Sequence, residues 1–378
     1  MNYILVFGLL LAGLVLLVVG AEILVRGASR LAASLGISPL VIGLTIVSYG
    51  TSSPEMAVAI QSSLANQAEL ALGNVIGSNI FNILVILGLS SIAIPLMVAQ
   101  QLIRLDVPIM IGVSCLTLFF GLDRTIHRSD GIILLLGGIV YTVFLIYQGS
   151  KQPRDPDSEY EAEYGNRSPL TLGQWTQNIA FILLGVGCLV LGSQWLVDSA
   201  TDIARQIGVS DLIIGLTIVA AGTSLPELAT SVVAAIKGER DIAVGNVVGS
   251  NIFNILTVLA VCAIVSPVGV PVSDAALSFD LPVMIAIAIA CLPIFFTGNV
   301  IARWEGCLFL SYYIAYTTYL ILYATDHDGL PLFSFVMLSF VIPITAITLV
   351  ILSLNSLREK RRSKRVSNHS LDDKDEVN

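Results

Sequence analysis

Two glutamates occupy the same position in a stretch that occurs twice in the chain. Glu55 ends the motif Gly-Thr-Ser-Ser-Pro-Glu and Glu227 ends Gly-Thr-Ser-Leu-Pro-Glu, each inside a long apolar run. A charge at the centre of a bilayer costs at least roughly 2.5–3.5 kcal/mol, and two carboxylates held close together also repel each other. We therefore expect the pair to hold cations or protons. The hydroxyl residues that precede each glutamate are Thr51 with Ser52, and Thr223 with Ser224.

The repeated stretch covers residues 43–84 and 215–256, with a constant offset of 172 residues, no gap and 23 identical positions out of 42. Each copy ends in Gly-Asn-Val-x-Gly-Ser-Asn-Ile-Phe-Asn. Residues four apart share one face of a helix, so we expect the pairs Ser78 with Asn82 and Ser250 with Asn254 to line an ion site. The remaining amides are predicted to form interhelical hydrogen bonds: Asn74, Asn79, Asn246 and Asn251. The glycines at Gly-x-x-x-Gly spacing are predicted to allow close helix packing: Gly73, Gly77, Gly245 and Gly249.

The proline in each copy predicts a break in a membrane helix. Pro54 has no N–H, so the carbonyl of Gly50 loses its helical partner, and such a break is tolerated where it lines a cavity. Carbonyl and hydroxyl oxygens then lie within one turn of a carboxylate. Calcium prefers 6–8 oxygen ligands, and two such clusters facing each other would supply them. The alternative, that the glutamates are protonated hydrogen-bonding residues of the core, explains the duplication less well.

Composition predicts an all-α polytopic membrane protein. Only 12% of the 378 residues are charged, about half the share in soluble domains, and apolar runs near 20 residues recur along the chain. Strands are not expected, because the runs are too long for barrel strands and do not alternate. The predicted units are a first five-helix repeat at 1–150, a short polar cytoplasmic linker at 151–173, a second, inverted five-helix repeat at 174–323, an extra transmembrane helix at 324–356, and a basic then acidic cytoplasmic tail at 357–378.

The distribution of basic residues predicts the orientation. With the N-terminus outside and eleven spans, 16 of the 19 Lys and Arg residues fall on the cytoplasmic side, as the positive-inside rule requires. Five spans per repeat insert the two copies in opposite directions, and the aligned flanks carry opposite charge, Arg26 over Asp198 and Arg30 over Asp202. An inverted repeat places a substrate site near the midplane. We expect a retained first helix, a cytoplasmic C-terminus and a prokaryotic inner (plasma) membrane.

Other side chains that bear chemistry are weaker candidates. The histidines fall in loops or the tail, at His127, His327 and His369. The cysteines lack metal-type spacing and are expected to be reduced and buried: Cys115, Cys188, Cys262, Cys291 and Cys307. The acids near span ends are expected to face the interface: Asp106, Asp280 and Glu305. Glu22 is a minor candidate for an ion path, and the basic run at 358–365 is expected to touch anionic lipid.

The motifs resemble those of the cation/calcium exchanger superfamily, in particular the sodium/calcium exchanger-like members of bacteria and archaea. The resemblance rests on G-T-S-x-P-E followed by G-N-x-x-G-S-N-I-x-N, present twice with inverted topology. It implies ten core helices, of which the second, third, seventh and eighth surround four central cation sites. It also implies an antiporter that transports Ca2+ and Na+, with no enzymatic activity, no cofactor, no nucleic acid and no protein partner.

The resemblance further implies a set of ion ligands. Glu55 and Glu227 would be the shared carboxylate ligands. Thr51 and Thr223 would contribute a carbonyl or hydroxyl, with Ser52 and Ser224 close by. The flanking sodium sites would be lined by Ser78, Ser250 and the carbonyls of Ser48 and Ala220. Asn82 and Asn254 would line the middle site. Many sodium/calcium exchangers have Asp where Asn254 stands, and potassium-dependent ones have acidic residues in this region. Both Asn82 and Asn254 are amides here, which argues against potassium dependence.

We hypothesise that three Na+ are exchanged for one Ca2+, electrogenically and by alternating access. One Ca2+ or two Na+ would neutralise the glutamate pair, and a third Na+ would leave one net positive charge. One alternative is a proton-coupled exchanger of calcium or another divalent cation. A cation channel is disfavoured by the inversion, because channel pores usually lie on an axis normal to the membrane. An intramembrane hydrolase is disfavoured by the lack of an intramembrane histidine or a convincing aspartate pair.

Overall fold

A computed structural model describes residues 3–35, 37–149, 172–208, 211–214, 217–218 and 220–352. The predicted tail and all but the last two residues of the predicted linker lie outside this part of the chain. The first half comprises α1 (Tyr3–Leu35), α2 (Pro39–Thr51), α3 (Ser53–Leu64), α4 (Ala68–Ala93), α5 (Leu102–Asp123) and α6 (Arg128–Gly149). The second half comprises α7 (Leu172–Gln206), α8 (Asp211–Ile214), α9 (Ala220–Gly222), α10 (Leu225–Ile236), α11 (Arg240–Val265), α12 (Ala276–Phe296), α13 (Arg303–Ala324) and α14 (Leu330–Leu352).

The helices account for the eleven predicted spans. Within the described residues, nine helices are long and apolar enough to cross a membrane, and α2 and α10 are shorter apolar helices. The short pieces α2 with α3, and α8 to α10, take the places of the second and seventh spans. The chain enters α2 through Ser38, whose hydroxyl accepts a hydrogen bond from the Val41 N–H while Pro39 occupies the first turn, a favoured start for a helix.

The helices that carry the second repeated motif lie at the centre of the molecule. In α4 and in α11, 83% of the most apolar 18-residue segment is buried, against 6% of the corresponding segment in α13 and in α14. A helix that is apolar on all sides is stable when it is enclosed by protein or by lipid. The peripheral helices therefore present apolar side chains outward, as expected for surfaces that face lipid.

Four short strands link the halves and report their relative orientation. β1 (Leu96–Met97) pairs antiparallel with β4 (Val300–Ile301), and β2 (Thr125–Ile126) pairs antiparallel with β3 (Val270–Pro271). β1 follows the third span of the first half, whereas β4 follows the fourth span of the second half. Because successive spans alternate in direction, these two strands reach the same side only if the halves are inverted. The strands lie between spans, so the prediction of purely helical spans holds.

Helices α1 and α7 pack against each other through small residues at seven-residue spacing. Gly13 faces Gly192 and Gly20 faces Gly185; a Cβ added to Gly20 would lie 2.9 Å from the Gly185 carbonyl oxygen. The pairing is antiparallel, because higher numbers on α1 meet lower numbers on α7. Glycine at these positions permits the close backbone approach that stabilises helix pairs in membranes.

The predicted glycine packing is confirmed in the second half. A Cβ on Gly245 would lie 3.0 Å from the Leu40 carbonyl oxygen, and one on Gly249 would lie 2.7 Å from the Leu44 Cα. Gly73 and Gly77 have no described atom within 4 Å. The positions equivalent to Leu40 and Leu44, residues 212 and 216, lie outside the described side chains.

The expectation that three acids face the interface is wrong for two of them. Asp106 is fully buried, and its carboxylate accepts hydrogen bonds from the Tyr141 hydroxyl at 2.9 Å and the Gln101 amide at 3.3 Å. Glu305 is also buried and accepts from the Ala302 N–H at 2.8 Å, which caps α13. These hydrogen-bond donors offset the cost of burying the carboxylates. Asp280 is partly buried and accepts from the Tyr316 hydroxyl at 3.2 Å.

The remaining minor candidates lie away from the carboxylate pair or on the surface. Glu22 is partly exposed and forms ion pairs with Lys237 at 2.7 Å and Arg26 at 3.3 Å. All five cysteines are free, as predicted. The prediction that they are all buried is wrong for Cys115 and Cys307, which are exposed, because the outer surface of a membrane protein is itself apolar.

Candidate ion site

A break in each half brings its glutamate to the start of a helix. Ser52 separates α2 from α3 with φ −80° and ψ 14°, and Ser224 precedes α10 with φ −89° and ψ 6°. Pro54 and Pro226 lie at the beginning of the helix that follows, where a missing N–H costs nothing. The glutamates therefore fall in the first turn of α3 and of α10, where the helix dipole favours a carboxylate.

The carbonyls released by these breaks are not left free. The Gly50 carbonyl accepts a hydrogen bond from the Ser53 hydroxyl at 2.6 Å. In the second half Leu225 replaces that serine, and the Gly222 carbonyl accepts instead from the Ser193 hydroxyl of α7, also at 2.6 Å. The predicted helix break is confirmed. A carbonyl oxygen has two lone pairs, so a contribution of these two carbonyls to the site stays a prediction.

The two glutamates meet in a crossed arrangement. Both are fully buried, with no exposed surface. The Ser52 hydroxyl of the first half donates to Glu227 Oε1 at 2.7 Å, and the Ser224 hydroxyl of the second half donates to Glu55 Oε1 at 3.1 Å. Each carboxylate is thus held by the serine that lies three residues before the other one, and the two carboxyl groups interact electrostatically.

Four buried carboxylate and amide oxygens of the repeated motifs have no hydrogen-bond donor. They are Glu55 Oε2, Glu227 Oε2, Asn82 Oδ1 and Asn254 Oδ1. In the described part of the chain neither glutamate forms an ion pair with Lys, Arg or His. Buried acceptors are nearly always paired in proteins, and carboxylate and amide oxygens are ligands that calcium accepts. The oxygens therefore fit a cation as their missing partner.

The serines of the second motif extend the same cluster. Ser78 on α4 donates to Glu55 Oε1 at 3.5 Å. Its counterpart Ser250 on α11 is buried beside Glu227 without completing a hydrogen bond. Asn82 and Asn254 lie one turn further along the same helices, and each begins a π-helical turn, Asn82–Leu87 and Asn254–Leu259. Single π-helical turns are frequent at functional sites.

The threonines and their amide partners join the halves around the site. The Thr51 hydroxyl donates to Asn246 Oδ1 at 3.1 Å, and the Thr223 hydroxyl donates to Asn74 Oδ1 at 3.2 Å. The prediction that these amides form interhelical hydrogen bonds is confirmed. Asn246 Nδ2 also donates to the Ser231 hydroxyl at 3.0 Å. This contact was not predicted, because the position equivalent to Ser231 in the first half is an alanine.

The two predicted backbone ligands lie one turn before the threonines. The Ser48 carbonyl accepts from the Ser52 N–H at 3.0 Å and, more weakly, from the Thr51 hydroxyl at 3.4 Å. Ala220 begins the helical turn α9. The described residues contain no group of three or more His, Cys, Asp or Glu side chains, so any cation here needs hydroxyl, amide and carbonyl oxygens besides the two carboxylates.

Comparison with known families decides which protein class carries this arrangement. A sequence model described as "Sodium/calcium exchanger protein" matches residues 5–147 and 177–322, one segment in each half. The chain belongs to the sodium/calcium exchanger protein family. It is therefore a cation/calcium exchanger of an antiporter family rather than an enzyme, as the sequence predicted.

Two relatives and one solved structure illustrate the similarity of this exchanger. The chain is 42% identical to CaxA of Alkalimonas amylolytica over 309 residues, which cover 81% of the chain and 95% of CaxA. It is 40% identical to the inner membrane protein YrbG of Escherichia coli over 283 residues, 74% of the chain and 86% of YrbG. The structure of the sodium-calcium exchanger NCX_Mj superposes with a TM-score of 0.70 at 32% identity, covering 83% of the chain and 97% of NCX_Mj.

This similarity confirms an integral membrane protein with an all-helical fold built on two repeats. The two segments that match the family model end at residue 322. Helix α14 at Leu330–Leu352 lies beyond them.

Proposed function

We propose that this exchanger moves sodium against calcium, with three Na+ exchanged for each Ca2+ by alternating access. The observation that carries the proposal is the pair of fully buried glutamates, each with one carboxylate oxygen that has no donor. No cationic side chain of the described residues neutralises them. The ions that neutralise the pair are then the transported ones.

Charge arithmetic implies that an exchange of three Na+ for one Ca2+ would be electrogenic. With both glutamates ionised the site carries two negative charges, which one Ca2+ or two Na+ would neutralise. A third Na+ leaves one net positive charge, so each cycle would move charge across the membrane. NCX_Mj is described as a sodium-calcium exchanger, in crystals soaked with Na+ together with Ca2+ or Sr2+, and the shared fold supports the same cargo here.

We assign the ligand roles as follows. Glu55 and Glu227 bind the cargo jointly, steadied by Ser52 and Ser224. The hydroxyls or carbonyls of Thr51 and Thr223, the hydroxyls of Ser78 and Ser250 and the carbonyls of Ser48 and Ala220 complete the flanking sodium sites. Asn82 and Asn254 line the middle site with their unpartnered oxygens.

The packing of α1 against α7 supports a moving unit. The glycines on their shared face bring the two backbones together, so the pair would slide as one body across the central helices and expose the site to each side in turn. The excess of basic residues in predicted cytoplasmic segments supports an inner-membrane protein with its N-terminus outside and its C-terminus in the cytoplasm.

The test is calcium flux in vesicles that contain the purified chain. An outward sodium gradient should drive calcium uptake, and an imposed voltage should change its rate, because net charge moves. Uptake that ignores sodium would refute the proposal. Uptake that follows a pH gradient without sodium would indicate the proton-coupled alternative, in which the glutamates release protons.

A further inference from the structure

A second pair of buried asparagines, Asn79 and Asn251, contacts the side-chain amides of the two asparagines that line the middle site. Asn251 Nδ2 lies 3.4 Å from the Asn79 carbonyl oxygen and 3.5 Å from the Met110 sulfur. Both neighbours only accept hydrogen bonds, so the end of Asn251 that meets them must be its NH2 group. Its oxygen consequently faces the opposite way, toward Asn82.

The orientation of Asn82 follows from that of Asn251. Asn82 Nδ2 donates to Asn251 Oδ1 at 2.9 Å. Because that acceptor is fixed, the NH2 group of Asn82 must remain there, and Asn82 Oδ1 is left buried without a donor. The chain of contacts therefore runs from a carbonyl and a sulfur, through two amides, to one bare oxygen.

The same chain exists in the other half. Asn79 Nδ2 lies 3.3 Å from the Asn251 carbonyl oxygen and 3.7 Å from the Met284 sulfur, and Asn254 Nδ2 donates to Asn79 Oδ1 at 3.1 Å. Asn254 Oδ1 is again buried without a donor. Every contact, including the one to sulfur, occurs in both halves, so the fold specifies the orientation of these amides.

We infer that Asn79 and Asn251 are positioning residues that turn the Asn254 and Asn82 oxygens toward the transported cation. An asparagine has one end that attracts a cation and one that repels it, so a site built with asparagine needs such a device. A carboxylate has oxygen at both ends and does not. The inference rests on the proposed function, since it assigns the bare oxygens to the cargo.

A double-mutant cycle between Asn82→Asp and Asn251→Leu tests this role, because such a cycle isolates the coupling between neighbouring residues. Asn251→Leu alone releases the Asn82 amide to rotate and should weaken cation binding roughly tenfold or more, as expected for loss of a contact to a charged group. Asn82→Asp alone adds a negative charge that favours the cation, but it also sets a carboxylate oxygen against Asn251 Oδ1, and that repulsion should offset part of the gain. In the Asn82→Asp background, however, Asn251→Leu removes that opposition and should strengthen binding.

Cation binding is measured on the purified full chain as stabilisation against heat by Na+, Ca2+ and Mn2+ separately. A penalty for Asn251→Leu that is the same in both backgrounds would show a merely structural residue and overturn the inference. If Asn251→Leu does not fold, Met110→Leu takes its place, because it keeps the side-chain volume and removes one acceptor. Its effect on cation affinity should be smaller and should also reverse in sign between the two backgrounds. An unchanged affinity in both backgrounds would overturn the inference.

The readout separates this inference from the proposed function. The cycle is read with whichever cation stabilises the unaltered chain. Stabilisation by Mn2+ but not by Na+ or Ca2+ would refute sodium–calcium exchange, while the sign of the cycle would still decide the role of Asn251. Stabilisation by none of the three cations would overturn both.

Discussion

Neutralising one carboxylate of the pair should weaken calcium binding far more than sodium binding. Glu227→Gln keeps the side-chain size and the Oε1 that accepts from Ser52 at 2.7 Å, but it lowers the site charge from −2 to −1. At an effective dielectric constant near 20, unit charges about 4 Å apart attract by about 4 kcal/mol. By the same estimate Ca2+ loses about 8 kcal/mol and Na+ about 4 kcal/mol.

The difference between those losses sets the size of the effect. About 4 kcal/mol corresponds to a change of roughly a thousandfold in the preference for Ca2+ over Na+. Titration calorimetry and thermal stabilisation by each ion would measure it on the purified protein. The variant should also melt at a higher temperature without cations, because the repulsion with Glu55 is gone, and added Ca2+ should no longer stabilise it.

Glu69→Gln is the matched control, since it makes the same chemical change at an exposed position in the first turn of α4. It should leave both affinities unchanged. If Glu227→Gln reduced Na+ and Ca2+ affinity by equal factors, the two ions would not be sensing that carboxylate through their charge. The reasoning from electrostatics would then be refuted.

Three further predictions concern a hydrogen bond, a helix contact and the orientation of the chain. Ser52→Ala removes the 2.7 Å hydrogen bond to Glu227 and should weaken calcium binding by about 1.5–3 kcal/mol, measured by calorimetry. An unchanged calcium affinity would show that Ser52 does not support the site. Gly20→Leu forces a side chain into the Gly185 backbone and should abolish flux or folding, whereas Gly8→Leu, with nothing within 4 Å, should do neither; equal effects would contradict the close α1–α7 contact. A label on the C-terminus should react only from the cytoplasmic side, and reaction from outside would reverse the proposed orientation.

The meeting of the two glutamates was predictable because the duplication marks them. Two glutamates in identical surroundings predicted a shared site, and the structure brings Glu55 and Glu227 into one buried cluster. The interhelical role of the amides followed from their positions off the serine face. Local spacing along a helix decides such features, so the sequence contains them.

Features that depend on a partner far along the chain were not predictable. The Gly50 carbonyl is capped by its neighbour Ser53, but the equivalent Gly222 carbonyl is capped by Ser193, 29 residues earlier. Asp106 lies near the end of a span and was expected at the interface, but a hydroxyl from another helix hydrogen-bonds its carboxylate in the core. Which end of an asparagine amide is exposed is decided by contacts that form only when the two halves pack together.

The central claim is that one cation is held jointly by carboxylates from the two halves. Anomalous diffraction from crystals of the purified chain soaked with Sr2+ tests it most directly. The account predicts a strong peak within coordination distance of both Glu55 and Glu227, deep in the helical core. A peak bound by only one of them, or peaks on the surface alone, would contradict it.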